Sequence, residues 1–396
     1  MKYDFETLLS RKNQGSIKWQ EMYDINPNLG EDIVPLSVAD MELKTAPEIT
    51  EGLKSFLDEA ILGYTMAYPS FIEAIQNWCK RHYNYEVKEE WIINTPGIVN
   101  ALYAAVNAFT KEGDGVLIFR PVYYPFTKAI EDNKRTLVNC PLIEKDGEYS
   151  IDFNKFDSIT QEKNVKLVIF CNPHNPVGRV WTKEELTKIA EICLKNNVIL
   201  VSDEIHCDLI MPGYEFVSML NVESDIKNNL IVCTAPSKTF NLAGLCTSNI
   251  FVPNKELKEK YYAALALMKN TMINILGYKA CELAYNNCDE WLKELILVLD
   301  HNQKIVKKFF DEKFPMIKAP LIQGTYLMWI DFRALSLSNE ELEKFMQEEA
   351  QWFTDEGYIF GIEGNGYERI NLAAPTHVIE NALIRLEKAL NKFFNK

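Results

Sequence analysis

The chain has 396 residues, more than one hydrophobic core usually supports, so we expect about two domains. Its composition, 47% hydrophobic and 25% charged, is that of a globular protein and excludes a disordered or fibrous one. Its net charge of −14 repels phosphate backbones and anionic lipid surfaces, so neither nucleic acid nor a membrane is an expected partner.

The hydrophobic pattern predicts the secondary structure in chain order. The first 45 residues show no sustained period and are predicted to wrap onto one of the domains. From about residue 47 to 287, helical patterns alternate with short β-rich apolar runs, which is typical of βαβ units around a mostly parallel, buried sheet. The predicted strands cover residues 91–94, 115–119, 165–171, 198–203, 229–234 and 248–252. The class is therefore α/β.

One helix between these strands is marked by its N-terminus. Thr182 and Glu185 form a capping box, in which each side chain accepts a hydrogen bond from the other residue's backbone. Apolar residues then recur at helical spacing from 186 to 193. This predicts a helix that packs on the sheet.

The pattern changes after about residue 291. A long helix is followed by apolar runs at 325–332, 358–363 and 368–374 and by a closing helix through Phe394. This predicts a smaller α+β domain. With the N-terminal segment assigned to it, the large domain covers residues 46–287 and the discontinuous small domain covers 1–45 and 288–396.

Cysteines and histidines show no disulfide or metal-binding pattern. The nine cysteines include no CxxC spacing and several lie in apolar runs, as expected for reduced, buried thiols. The five histidines include no HxxxH or HExxH spacing, so no metal site is predicted. The N-terminus lacks the apolar stretch of a secretory signal, and no segment approaches the roughly 20 apolar residues of a membrane span. We therefore expect a cytoplasmic protein.

Residues with useful chemistry follow several predicted strands, and ligands of open α/β sheets bind beyond the carboxyl ends of strands. Gly97 forms a turn before a helix, which is either a phosphate cradle or a simple turn. Asn175 lies in a loop stiffened by two Asn-Pro pairs and can present an amide. Asp203 ends an apolar run and is either a helix cap or a carboxylate that needs a cationic partner.

A lysine and an arginine complete this set. Lys238 follows a buried strand, where desolvation would make it nucleophilic, although most lysines are exposed and solubilising. Arg369 lies in an apolar run and either reaches solvent at an edge or clamps a carboxylate. A phosphate cradle, an amide, a strand-end acid and a nucleophilic lysine are the parts that pyridoxal phosphate needs.

Six stretches of the chain resemble a known family. CNPHNPVGR, VSDEIH, SKTFNLAG and ERINLAAP resemble, in order and spacing, the motifs of fold-type I pyridoxal-phosphate enzymes of the aminotransferase class I/II superfamily. RKNQGSIKW and PLSVADMELKTAPEI resemble the cystathionine β-lyase and cystalysin-like C–S lyase branch, also called MalY/PatB. The resemblance covers nearly the whole chain and implies an aspartate-aminotransferase-like fold with pyridoxal 5′-phosphate as cofactor.

The resemblance also implies roles around the cofactor. Lys238 would form the Schiff base with the aldehyde and act as the base at Cα, and Asp203 would pair with the pyridine nitrogen. Asn175 would donate to the ring O3′, and Tyr123 would stack on the ring. The implied phosphate contacts are Gly97, Ile98, Val99, Ser237 and, from a neighbouring subunit, Tyr64. This last contact implies a homodimer.

On the substrate side, Arg369 would clamp an amino-acid carboxylate beside the backbone of Ala39, and Tyr124 would assist proton transfer. Two positions depart from the usual aminotransferase pattern. His206 stands where many aminotransferases have a tyrosine, and it would still contact the cofactor's O3′. Cys246 stands where an arginine commonly binds the phosphate, so phosphate affinity must rest on backbone donors, hydroxyls and the helix dipole.

The implied activity is that of a carbon–sulfur lyase, which cleaves L-cystathionine or a related cysteine S-conjugate to a thiol, pyruvate and ammonia. The motifs do not identify the leaving group, because cystathionine, cysteine, cystine and S-alkyl cysteines share the amine and carboxylate. Transamination on the same cofactor and a regulatory protein that retains the cofactor are the alternatives. The departures at His206 and Cys246 favour the lyase.

Overall fold

The computed structural model describes residues 1–162, 164–269 and 271–395. Its α-helices are α1 (Ile17–Ile25), α2 (Pro47–Glu59), α3 (Pro69–Tyr83), α4 (Ile98–Phe109), α5 (Pro125–Glu131), α6 (Phe153–Glu162), α7 (Lys183–Lys195), α8 (Pro236–Thr239), α9 (Lys255–Leu267), α10 (Ile275–Asn287), α11 (Asp289–Lys313), α12 (Asn339–Lys344) and α13 (Thr376–Phe394). Its strands are β1 (Ile92–Thr95), β2 (Gly115–Ile118), β3 (Thr136–Asn139), β4 (Ile143–Lys145), β5 (Glu148–Ser150), β6 (Val165–Cys171), β7 (Ile199–Asp203), β8 (Leu230–Thr234), β9 (Ser248–Phe251), β10 (Leu327–Asp331), β11 (Asp355–Glu356) and β12 (Tyr367–Asn371).

A seven-stranded sheet forms the centre of the molecule, in the order β1–β9–β8–β7–β6–β2–β3. The strands from β8 to β3 are parallel, and β9 is antiparallel to both of its neighbours. Alternate residues of β6 pack into different cores: Leu167 and Ile169 join α4, α5 and α9, whereas Val168 and Phe170 pack with α7. Because both faces of the sheet are covered, its strands have continuous apolar sequences.

The predicted strands of this sheet are present as β1, β2, β6, β7, β8 and β9, each within a residue or so of its predicted ends. The capping box of Thr182 and Glu185 is confirmed at the start of α7. Strand β3 and the β4–β5 hairpin were not predicted, because they are short and partly exposed and lack a long apolar run. Each of the nine cysteines is a free thiol, and all but Cys246 are buried.

A second, antiparallel sheet has the order β10–β12–β11 and packs with α11 and α13. The apolar run at 358–363 does not form a strand, unlike the other two runs in this part of the chain. It folds as two short 3₁₀ turns, and the backbones of Gly357 and Gly364 approach so closely that a Cβ at either position would lie 2.1 Å or 2.0 Å from the other carbonyl oxygen. This close approach requires glycine at both positions.

The N-terminal segment lies against the second sheet. Leu36 N–H donates to Phe353 O and Glu42 N–H to Ala373 O, each at 2.8 Å, and Asn371 N–H donates to Leu36 O at 2.8 Å. The segment from 36 to 42 therefore bonds the residues before β11 and those at and just after the end of β12. Across the described ranges, no helix has both the length and the apolar character that crossing a bilayer demands.

Candidate active site

The residues singled out in the sequence meet at the carboxyl edge of the central sheet. Asp203 is the last residue of β7, and Asn175 and Lys238 follow β6 and β8. Parallel strands end at the same edge, so these three side chains lie on one side of the sheet. Arg369 reaches the same place from β12, with its Nη1 3.0 Å from Asn175 Oδ1. The site therefore lies between the two sheets.

Lys238 lies in the single turn α8, which begins at Pro236. Its Nζ donates to the carbonyl oxygen of Ala39 at 2.6 Å. Burial and the charge of Arg369 lower the pKa of Lys238 to about 8, although Asp40 and Asp203 act in the opposite direction. A substantial fraction of this amine is therefore neutral, and so nucleophilic, near pH 8.

Asp203 is 3% exposed. Its Oδ1 accepts the backbone N–H of Ile205 at 3.2 Å, but no helix follows it, so the helix-cap alternative is excluded. Burial raises the pKa of Asp203 to about 7, and this outweighs the opposing effects of the Ile205 hydrogen bond and the Lys238 charge. A positively charged donor would stabilise this carboxylate.

Arg369 is 2% exposed and does not reach solvent. Its Nε and Nη2 donate to Asp355 Oδ2 at 3.2 and 2.6 Å, and its Cζ lies 4.8 Å from the centre of the Phe360 ring. With the bond to Asn175, three of its five N–H donors have partners in the described part of the chain. Two donors, one on each terminal nitrogen, are left for a carboxylate.

Asp355 and Tyr326 belong to the cluster but were not predicted. Asp355 lies in the two-residue strand β11, and its Oδ2 also accepts the N–H of Val38 at 3.0 Å. The Tyr326 hydroxyl donates to Ala39 O at 2.8 Å. Neither residue follows a strand that the hydrophobic pattern marks clearly. For Tyr326, the sequence offered one signal: it lies inside the apolar run 325–332, where a buried hydroxyl needs a hydrogen-bond partner.

Tyr123 and Tyr124 line the site after β2. The backbone N–H of Tyr123 donates to Asn175 O at 3.1 Å, and the two tyrosine rings lie 5.4 Å apart. The Tyr124 ring lies 6.3 Å from that of Phe360, on the Arg369 side. Burial raises the pKa of both tyrosines, so their hydroxyls are protonated at neutral pH.

Gly97 precedes α4 with a φ of +94°, and nothing lies within 4 Å of where its Cβ would be. Its own N–H is used within the turn, because it donates to Thr95 O at 2.8 Å. Gly97 is therefore less suited than predicted to bind a ligand through its N–H. Ile98 and Val99 are the first residues of α4, and such N–H groups have no partner within the helix. Ser237, in α8, is partly buried.

His206 is buried, and no partner of its Nδ1 is found among the described residues. Its ring lies edge-on to Tyr326 at 5.9 Å. Burial and the charges of Lys238 and Arg369 hold its pKa well below the usual value, so the imidazole is neutral.

Two predicted or noted residues lie outside this cluster. Tyr64 is 99% exposed, in a segment without helix or strand. Within one chain it is therefore not brought to the site. Cys246 is exposed and adopts a left-handed backbone conformation with a φ of +48°.

The chain is similar along its whole length to known proteins. The family model for aminotransferase class I and II matches residues 31–386. Cystathionine β-lyase PatB of Bacillus subtilis is 36% identical over 98% of this chain and 100% of its own. Cystalysin of Treponema denticola, whose crystal structure contains pyridoxal 5′-phosphate, is similar with a TM-score of 0.97 and 52% identity over 99% of this chain and 100% of that chain. The pyridoxal-phosphate-bound C–S lyase of Staphylococcus hominis has a TM-score of 0.91 and 30% identity over 98% of each chain.

Proposed function

The chain belongs to the aminotransferase class I and II family, and from this membership we propose that it is a carbon–sulfur lyase dependent on pyridoxal phosphate. It cleaves L-cystathionine or a related cysteine S-conjugate, with water, to a thiol, pyruvate and ammonia. Its fold is the aspartate-aminotransferase-like one, with a large, mostly parallel α/β unit and a smaller α+β unit. One observation carries the proposal: Lys238, Asp203 and Arg369 meet at one sheet edge in a chain that matches C–S lyases from end to end.

The residues of the site fit this cofactor. Asp203 is a buried carboxylate with a raised pKa, and a protonated pyridine nitrogen is the cationic donor that it lacks. Asn175 accepts from Arg369 through its oxygen, and its amide N–H groups, which have no partner among the described contacts, can donate to O3′. The Nδ1 of His206 is buried without a partner in the described ranges, and the O3′ hydroxyl oxygen on the cofactor ring would supply one. The open space at Gly97 and the start of α4 suit a phosphate.

The chemistry at Cα depends on Lys238 and Asp203. Bound pyridoxal phosphate supplies an aldehyde for the substrate amine and a pyridine ring that accepts electron density from Cα. Lys238 takes the Cα proton, since its lowered pKa makes it a base near pH 8. Asp203 holds the proton on the pyridine nitrogen, where the carboxylate balances the positive charge.

Arg369 and Tyr124 act on the substrate. The two unused N–H donors of Arg369 bind the carboxylate, while Asp355 and Asn175 hold the guanidinium in place. The backbone of Ala39 lies beside the bound substrate. Tyr124 is protonated at neutral pH and donates its proton to the sulfur that leaves Cβ. Tyr123 packs against the cofactor ring.

The enzyme acts as a homodimer in the cytoplasm. Tyr64 reaches the phosphate of the neighbouring subunit, and its exposure within one chain supports this role. Ile61, Leu62 and Met66 are exposed in the same segment, and exposed apolar side chains in such number favour burial by a second copy.

The products of a single substrate test the proposed reaction. Purified enzyme loaded with the cofactor is incubated with L-cystathionine and without any oxo acid. We expect continuous release of pyruvate and a thiol in equal amounts. Lys238→Ala removes the base and the amine, so it should lose both the cofactor absorbance band and the activity. An active Lys238→Ala enzyme would contradict the assignment.

Two other functions give different results in the same assay. An aminotransferase, which the family name allows, would release pyruvate and thiol only in trace amounts and would need an oxo-acid acceptor for turnover. A regulatory protein that retains the cofactor would bind a partner equally well as wild type and as Lys238→Ala. Steady release of pyruvate without an acceptor excludes transamination as the main activity.

A further inference from the structure

The backbone from residue 38 to 41, called here the 38–41 segment, is fixed by side chains from many elements. Ala39 O accepts both Lys238 Nζ and the Tyr326 hydroxyl. Asp355 accepts the N–H of Val38. Asn371 donates to the carbonyl oxygens of Val38 and Asp40, and Lys18 also donates to that of Asp40. The side chain of Asn241 bonds both the backbone N–H and the carbonyl oxygen of Met41. Val38 has a φ of +55°, which β-branched residues rarely adopt, so these contacts hold a strained backbone.

Four charged side chains form a cluster behind this segment. Lys18 is 1% exposed, and its Nζ lies 3.0 Å from Asp40 Oδ1 and 2.9 Å from Glu42 Oε1. Arg11 bonds the same two carboxylates at 2.8 and 2.9 Å. The cluster is charge-balanced, with two cations and two anions, and the indole N–H of Trp19 donates to Glu42 at 3.0 Å.

Of the two cations in this cluster, Lys18 is the one that donates a hydrogen bond to the backbone of the 38–41 segment. Its Nζ donates to Asp40 O at 2.9 Å, and the same ammonium forms ion pairs with the carboxylates of Asp40 and Glu42. Arg11 reaches only the carboxylates in the described contacts. Asp40 O belongs to the peptide next to Ala39 O, so a shift of one displaces the other.

We propose that Lys18 is a positioning residue: by holding the Asp40 carbonyl, it fixes the Ala39 carbonyl at the place where that oxygen receives the ε-amine of Lys238. This inference rests on the proposed function, because it concerns the lysine that serves the cofactor and Cα. While Lys238 is free of the cofactor, the Ala39 oxygen keeps its amine aimed into the site. The N-terminal motif RKNQGSIKW thereby acts on the reaction without touching the substrate.

Loss of the hydrogen bond to Ala39 O changes the pKa of Lys238 in a defined direction. A carbonyl acceptor stabilises the ammonium more than the amine, so its removal lowers the pKa of Lys238. The charged groups around Lys238 are Arg369, which lowers this pKa, and Asp40, Asp203 and Asp355, which raise it. His206 also faces Lys238 and is neutral. The variants below leave all these groups in place.

Two variants and one matched control test the role of Lys18. Lys18→Met with Glu42→Gln removes one charge of each sign and leaves Arg11 paired with Asp40, so no buried charge is left without a partner. Lys18→Arg keeps the charge, but a larger, planar guanidinium cannot take the position of the compact ammonium that bonds Asp40 O between the two carboxylates. The control, Lys44→Met with Asp4→Asn, removes an exposed 2.5 Å ion pair just beyond the 38–41 segment.

Capture of pyridoxal 5′-phosphate by the cofactor-free full chain is followed by absorbance between about pH 6 and pH 10, a range that spans the titration of a perturbed lysine. The rate depends on the neutral amine of Lys238, so its pH midpoint reports the state of this amine. We expect both Lys18 variants to shift the midpoint down by about half a unit or more and to lower kcat of the holoenzyme by about tenfold. The control should match wild type in both measurements.

The inference is overturned if the midpoints of the Lys18 variants equal that of the control, even when kcat falls. If the double variant does not fold, as judged by circular dichroism, the Lys18→Arg result decides alone. A wild-type protein that captures no cofactor at any pH contradicts the proposed function. Capture with the same midpoint in all proteins contradicts only the role of Lys18.

Discussion

At the scale of single residues, burial shifts the pKa values of two ionisable groups of the site towards neutral pH. The pKa of Asp203 is raised to about 7, because a buried carboxylate is costly to ionise. The pKa of Lys238 is lowered to about 8, because an ammonium is costly in the same environment and Arg369 is close. A bound pyridinium would pair with Asp203 and so lower its pKa again.

The raised pKa of Asp203 predicts the pH dependence of stability in the cofactor-free protein. The pKa of this carboxyl is about 4 in the unfolded chain and about 7 in the folded chain. Between these values the folded chain binds more protons, so its stability falls as the pH rises from about 4 to about 7. Asp203→Asn cannot ionise, so it should make the melting temperature less dependent on pH in this range.

The neighbouring Glu204 is also buried, with a pKa raised to about 7, so part of the slope should persist in Asp203→Asn. The control is Glu191→Gln, which removes an exposed carboxylate from α7. Thermal unfolding of the cofactor-free variants in a series of buffers gives the slopes. An Asp203→Asn slope equal to that of wild type would show that folding does not raise the pKa of Asp203.

At the scale of elements, α7 shows how local sequence determines a boundary. Thr182 Oγ1 accepts the N–H of Glu185 at 3.2 Å, and Glu185 Oε2 accepts the N–H of Thr182 at 2.8 Å. Thr182→Ala leaves a helix N–H without its partner and should lower the free energy of unfolding by about 1 kcal/mol. Chemical denaturation measures this change.

The control for Thr182 is Thr187→Ala in the same helix. The Thr187 hydroxyl donates to Lys183 O at 2.8 Å, a carbonyl that is already part of the helix, so its loss should change stability by less than about 0.5 kcal/mol. Equal losses in the two variants would contradict a specific role for the capping box.

The elements differ in how far the sequence predicts them. The buried strands β6, β7 and β8 contain apolar runs that are followed by polar or charged residues, so both their extents and the residues Asn175, Asp203 and Lys238 at or after their ends are predictable. Strands β3 and β11 are short and lie at sheet edges, where packing is weaker and no pattern marks them. Asp355 and Lys18 act through contacts between distant parts of the chain, which residue spacing does not encode.

The arrangement of the strands also bears on the domain boundaries. We propose that residues 46–287 form the large domain and that 1–45 and 288–396 form the small one. Residues 46–287 contain every strand of the central sheet, and 288–396 contain every strand of the β10–β12–β11 sheet. Crystal structures with and without substrate test these limits. Each set should move as one body, with the backbone rotations near residues 45 and 288, and rotations elsewhere would contradict the boundaries.

At the scale of the whole molecule, the proposed dimer makes each active site depend on two chains. One subunit supplies Lys238 and the other supplies Tyr64, so Lys238→Ala and Tyr64→Ala should each have low activity. In a mixture allowed to exchange subunits, mixed dimers contain one site with both residues intact. Random pairing then predicts recovery to about a quarter of the wild-type activity.

Subunit exchange is achieved by mild denaturation and refolding of the mixed variants, and each variant treated alone is the control. Recovery in the mixture only is the expected result. Differently tagged chains show whether mixed dimers have formed. If they have formed and activity is not recovered, Tyr64 acts in its own subunit or not at all.

The proposed reaction depends on the ε-amine of Lys238 binding the aldehyde of pyridoxal phosphate. Borohydride reduction of the holoenzyme followed by peptide mass mapping tests this directly, because reduction makes the bond permanent. We predict one modified peptide, with the pyridoxyl group on Lys238, and none in Lys238→Ala. A holoenzyme that yields no adduct, or an adduct on another lysine, would contradict the account.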